Sequence, residues 1–123
     1  MMNPKRYIPH VEEGQLVEQT LAVGALTVVI SDIPSIHASR IDVSIESASL
    51  AGVGNDLLVV LRLYGASQQN QVDVTLGTTT EGTTDGYTYS QYIGQSFDLM
   101  LQNTDGQGTA DAATYTAWVG ARP

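Results

Sequence analysis

Residues able to do chemistry are few in this chain, and none stands at a spacing that a reaction or a metal requires. The densest set of oxygen ligands is Asn103-Thr104-Asp105-Gly106-Gln107-Gly108-Thr109-Ala110-Asp111. Calcium takes about six to eight oxygens, and this run lacks the third early carboxylate and the closing bidentate glutamate of a calcium loop. Asp and Gly are also what a tight loop needs for its backbone, so the segment reads as a turn. Glu81 and Asp85, in a Thr-Glu-Gly-Thr-Thr-Asp-Gly run, read the same way. His10 and His37 are the only histidines, and neither has a second ligand at metal spacing. Ser31, Asp32 and His37 make a nucleophile, acid and base set on paper only, with no Gly-x-Ser-x-Gly elbow to present a serine. The chain has no cysteine, which removes thiolate chemistry, thiolate-held zinc and disulfides. Paired carboxylates for glycoside cleavage are defined by distance in space, which sequence does not carry. The expectation is a protein that is not an enzyme, with no catalytic residue, metal or cofactor.

Two groups of side chains point to binding instead. Tyr87, Tyr89, Tyr92 and Trp118 are aromatics of the kind that stack on sugar rings, and equally of the kind that fills a β-rich core. Asp56 to Tyr64 reads Asp-Leu-Leu-Val-Val-Leu-Arg-Leu-Tyr, a strand apolar on both sides. Leu57, Val59, Leu61 and Leu63 share one side, which a single core covers. Leu58, Val60, Arg62 and Tyr64 share the other and call for a second cover, because soluble monomers rarely expose contiguous apolar patches. A neighbouring subunit would supply that cover, with Arg62 free to pair with its carboxylates.

The elements that position these residues are strands. Residues 1–14 show neither helical nor strand periodicity, carry Pro4 and Pro9, and form an extended N-terminal arm. Lys5, Arg6, Tyr7 and Ile8 are its candidate contacts. From residue 15 to 123 the pattern has period two, broken by Gly, Ser, Asn, Asp and Thr. Leu16 to Val23 and Leu26 to Ser31 are the first two strands, the second with Leu26, Val28 and Ile30 on one side, and Asp32-Ile33-Pro34-Ser35 turns the chain. Ile41, Val43 and Ile45 then face inward between Asp42, Ser44 and Glu46. Beyond the two-sided strand, Val72, Val74 and Leu76 alternate with Asp73 and Thr75, and Thr78 to Gly86 reads as a connection. A short aromatic segment precedes Phe97, Leu99 and Leu101, and the last strand carries Tyr115, Ala117 and Val119 on one side. The fold class is all-β: one antiparallel β-sandwich of about eight strands, of which a jelly roll is one form. Helix is expected to be minor, and no internal repeat is indicated.

Composition narrows the partners. The chain has 123 residues, with 13 acidic against 5 basic side chains and a net charge of -8. The cations are Lys5, Arg6, Arg40, Arg62 and Arg122, too few and too scattered to bind nucleic acid or an anionic membrane. The first fourteen residues lack the apolar stretch of a signal peptide, and Leu57 to Leu61, the longest apolar run, is far short of a membrane span.

The proline-bearing arm, the cysteine-free and Thr/Gly/Ala-rich β domain, the acid excess and the missing catalytic signature together resemble small accessory proteins of tailed-phage virions, notably capsid decoration proteins. The resemblance covers the whole chain in style and rests on no single motif. It implies a structural protein on the outer surface of a capsid or tail, whose partners are further copies of the chain, or a capsid or tail protein. The arm and the Leu58, Val60, Arg62 and Tyr64 side would be the subunit interface. The alternative is a carbohydrate-binding, receptor-recognition module that uses Tyr87, Tyr89, Tyr92 and Trp118.

Overall fold

Side chains that alternate between oil and water every second residue can be satisfied only by strands with one wet and one dry side, and this chain makes eight of them. A computed structural model describes residues 12–48, 56–65, 70–104 and 112–123. The strands are β1 (Glu12–Leu21), β2 (Thr27–Pro34), β3 (Arg40–Ser47), β4 (Asp56–Tyr64), β5 (Gln71–Thr80), β6 (Thr84–Tyr89), β7 (Ser96–Asn103) and β8 (Ala113–Arg122). They form two four-stranded sheets in the orders β1-β8-β3-β6 and β2-β7-β4-β5.

The pairing is nested and antiparallel throughout: β1 with β8, β2 with β7, β3 with β6, and β4 with β5. A chain paired this way is one long hairpin, centred on the β4–β5 pair and rolled so that successive strand pairs fall in alternate sheets. That is the jelly roll. The chain is therefore an all-β sandwich, as its alternation predicts.

The core lies between the sheets. From β4 and β7 come Leu57, Val59, Leu61, Leu63, Phe97, Leu99 and Leu101, all without solvent exposure. The facing sheet supplies Ile41, Val43 and Ile45 from β3 and an alternating Ala113, Tyr115, Ala117, Val119 and Ala121 from β8. Small alanines opposite bulky leucines let the two layers interdigitate at native density. β1 makes room in the same way: a methyl group at Gly14 would lie 2.6 Å from Ile30 Cγ2.

Several boundaries differ from the sequence reading, each for a local reason. β1 starts at Glu12, within the segment read as arm, because Glu12, Glu13 and Gly14 pair with Ala121, Gly120 and Val119. Asp32 to Pro34 is not a turn but the end of β2, which absorbs two irregularities, between Val28 and Ile30 and between Ile30 and Ile33. The first moves Val28 to the side opposite Ile30. The shared side expected for them is thereby lost, since an inserted residue flips the alternation. The Thr-rich stretch read as a connection is mostly strand, leaving only residues 81–83 as the turn between β5 and β6. The irregularity in β5 opposite Val59 and Val60 falls after Thr75, and Leu76 still packs on the core with Val74, as the alternation predicts.

Candidate interaction surfaces

The outward side of the β2-β7-β4-β5 sheet carries the residues expected to need a second molecule. Across it runs an apolar row, Val28, Met100 and Val60, set side by side by the β2–β7 and β7–β4 registers. Val60 is only 3% exposed, so its cover comes from its own chain. Leu58, Arg62 and Tyr64 are half-buried. The premise that this side cannot be sheltered by one polypeptide is thus corrected at Val60. The physical reason is lateral: Met100 and Thr75 are its in-register neighbours, and Leu58 and Arg62 flank it along the strand.

One step along the strands the row turns polar. Asp98 is 6% exposed and sits beside Arg62 in register. Its Oδ2 accepts the Tyr64 hydroxyl at 2.6 Å and its Oδ1 accepts the backbone N–H of Asp32 at 2.9 Å. Asp32 reaches it from the β2 irregularity, where φ is 57°, a left-handed conformation that aspartate tolerates better than most residues. The carboxylate of Asp98, with burial adding to it, pushes the Tyr64 hydroxyl above the ordinary tyrosine range. Arg62 is held by its own sheet: its Nε and an Nη meet the two oxygens of Asp73 at 2.8 and 2.9 Å. This bidentate bond lowers the Asp73 carboxyl and raises the guanidinium. The carboxylate expected to come from a neighbour is supplied across the β4–β5 pair. Lys5, Arg6, Tyr7 and Ile8 lie outside the described residues, as does the 105–111 part of the acidic loop.

The four aromatics do not form one surface. Tyr87 and Tyr89 pair with Val43 and Ile41 on the inward side of β6 and pack on the core. The Tyr87 hydroxyl shares a 2.9 Å hydrogen bond with the buried Thr79 Oγ1, and its ring lies so close to Gly77 that a methyl group there would meet Cε1 at 2.8 Å. Tyr92 is 55% exposed between β6 and β7. Trp118 is on the outward side of the β1-β8-β3-β6 sheet, across the layer from Tyr87 and Tyr89.

Around Trp118 the outward side is flat and polar. Its ring lies along the strand over Gly120, where a methyl group would stand 2.5 Å from Cη2. The Arg122 guanidinium lies 5.6 Å from the ring centroid. Asp42 gathers Arg122 Nε at 2.9 Å, Arg40 Nε at 3.2 Å and the Thr88 hydroxyl at 3.0 Å. In register with Trp118 are Gln15 on one flank and Ser44 then Gly86 on the other. A methyl group on Gly86 would meet nothing nearer than the Val43 carbonyl oxygen at 4.0 Å, so the shelf beside the indole is open. Sequence reading missed Asp98, Asp73, Ser44 and Gly86. The signal for Asp98 was present: a carboxylate between Phe97 and Leu99, next to Met100 on the outward side of the same strand.

No protein-family model matches this chain, and no curated protein matches it. Its fold does match solved structures. Against the viral particle of infectious bursal disease virus the TM-score is 0.63 at 13% identity, over 93% of this chain and 31% of that one. Against the VP2 subviral particle of the same virus it is 0.61 at 13% identity, over 94% and 33%. The Gx strain of that virus gives 0.53 at 12% identity, over 94% and 32%. The chain spans about a third of the length of these viral chains and shares with them the all-β sandwich fold.

Proposed function

We propose that the chain is a non-enzymatic structural subunit of a virus particle, a capsid decoration or accessory protein on the outer surface of a capsid or tail, as in tailed phages. It meets neighbouring subunits through residues 1–14 and through the outward side of β4, where Leu58, Arg62 and Tyr64 keep part of their surface in solvent. The observation that carries this reading is the match of 93% of the chain to a viral-particle chain at a TM-score of 0.63. The acid excess fits a role among proteins rather than on nucleic acid or membrane. Mass spectrometry of density-banded particles from the encoding source, with immunogold labelling of intact particles, tests it. The expected result is a fixed stoichiometry and label on the outside; absence from the banded particles rejects the role.

A second reading, sugar recognition, is favoured by one observation, the open shelf of Ser44 and Gly86 beside Trp118. A glycine in mid-strand weakens the strand and often marks a close approach from outside. The site would be Trp118 with Ser44, Gln15 and Gly86, without Tyr87 or Tyr89. Trp118 is the only tryptophan, so its fluorescence reports binding directly. Titration with neutral oligosaccharides should quench or shift that emission, and Gly86→Leu should abolish the change. An unaltered spectrum across the panel removes this reading.

A further inference from the structure

Every open sheet has two edges, and the four edges of this sandwich are not protected alike. β1 and β6 bound one sheet, and β2 and β5 the other. An edge strand presents unpaired backbone N–H and C=O groups, and natural proteins blunt such edges with charges, proline, bulges or short length. β1 carries Glu12, Glu13 and Glu18 and breaks register between Leu16 and Gln19, with φ of 49° at Glu18. β2 has two register breaks, Asp32 at φ 57°, and Pro34, which has no N–H to offer. β6 has only 6 residues.

β5 has none of these devices along its first half. It runs 10 residues, Gln-Val-Asp-Val-Thr-Leu-Gly-Thr-Thr-Thr, with no proline, lysine or arginine. Its register on β4 is unbroken from Gln71 to Thr75, and its irregularity lies beyond. The only charge, Asp73, is neutralised by Arg62 at 2.8 Å. Val72 is 48% exposed. Among the described residues no strand pairs with its outer edge. On a chain of net charge -8, two copies meet most readily along a neutral strip, and β5 is the neutral edge.

We propose that β5 pairs antiparallel with β5 of a second copy about a two-fold axis, joining two β2-β7-β4-β5 sheets into one continuous sheet. This rests on the reading of the chain as an assembly subunit and assigns that subunit a self-association edge. With the axis at Val74, Val72 of each copy stands opposite Leu76 of the other and Asp73 opposite Thr75, so no like charges face each other.

The chain has no cysteine, so single-cysteine variants of the full chain test the geometry cleanly. Val74→Cys should form a disulfide-linked dimer on mild oxidation, since residues at the axis of an antiparallel pair stand within disulfide reach. Thr20→Cys on β1 and Thr88→Cys on β6 should not. In sedimentation velocity the native chain should dimerise, and Val72→Lys with Thr75→Lys, both exposed positions, should raise the dissociation constant about tenfold or more with the fold intact by circular dichroism. A native chain that stays monomeric at all concentrations, or a dimer that cross-links through Thr20→Cys or Thr88→Cys instead, overturns the proposal. Particle composition is read separately, so loss of the β5 pairing and loss of the virion role are distinguishable results.

Discussion

Asp98 shows how one buried carboxyl group is accommodated by hydrogen bonds on a sheet face that also carries an apolar row. The Tyr64 hydroxyl and the Asp32 N–H hold it. Tyr64→Phe removes the stronger donor and leaves the carboxylate short of a partner, which should cost about 1.5–3 kcal/mol in urea unfolding at neutral pH. The Tyr64 hydroxyl has a higher pKa folded than its ordinary 10.0, so its contribution is complete below that value and is lost as pH rises through the folded value. Tyr115, raised by burial, adds to the same alkaline loss. Asp73 behaves in the opposite sense. Its pKa is lowered from 3.8, so the Arg62 bond stabilises above that value and is lost as pH falls through the folded one. The Asp73 side chain is 41% exposed, and solvent screening keeps the pair below about 1 kcal/mol. Arg62→Met should therefore cost less than about 1 kcal/mol at pH 7 and flatten the acid limb of the stability curve below about pH 4.

Glycines in the strands and turns serve different ends, and alanine scanning separates them. Gly94, between β6 and β7, has φ of 75°, and a methyl group there would run into the Tyr64 carbonyl oxygen. Gly94→Ala should destabilise by more than about 1 kcal/mol in thermal unfolding. Gly86 has open space above it, so Gly86→Ala should instead stabilise β6 by about 0.5–1 kcal/mol, the usual gain from alanine in a strand. A loss of stability at Gly86→Ala would mean the shelf beside Trp118 is not open. The strands themselves were legible as elements: all eight follow from alternation and from turn residues such as Asn, Gly and Ser. Their irregularities were not. Asp32 looks like the start of a turn because αL-tolerant polar residues serve bulges and turns equally well, and only the partner strand β7 distinguishes the two.

For the whole molecule the ruling feature is nested pairing. Glu12 pairs with Ala121 and Ile41 with Tyr89, whereas β4 and β5 are neighbours in sequence. Closing such long loops before any contact rewards them is slow, so refolding by stopped-flow should fall in the millisecond-to-second range typical of β-sandwiches. Leu61 stands at the centre of the shared core with no exposure, and Leu61→Ala should cost about 2–5 kcal/mol. Self-association through the neutral β5 edge works against the repulsion of two chains of net charge -8, so raising salt from about 0.02 to about 0.2 M should tighten the dimer.

Alternation alone determined the class of this protein: side chains at every second position from residue 15 onward admit strands and little else, and their number and spacing predict a sandwich. The inward sets Leu57 to Leu63, Ile41 to Ile45 and Tyr115 to Val119 were readable for the same reason, because a period-two pattern is local. Tertiary structure decided which strand lies beside which, and with that three matters of function. It put Tyr87 and Tyr89 on the opposite side of the sheet from Trp118. It gave Arg62 its carboxylate from β5 and closed Val60 within its own chain. It left β5 as the unguarded edge. Pairing joins residues up to about a hundred positions apart through backbone groups that are the same in every residue, so nothing in the side-chain pattern of one strand names its neighbour.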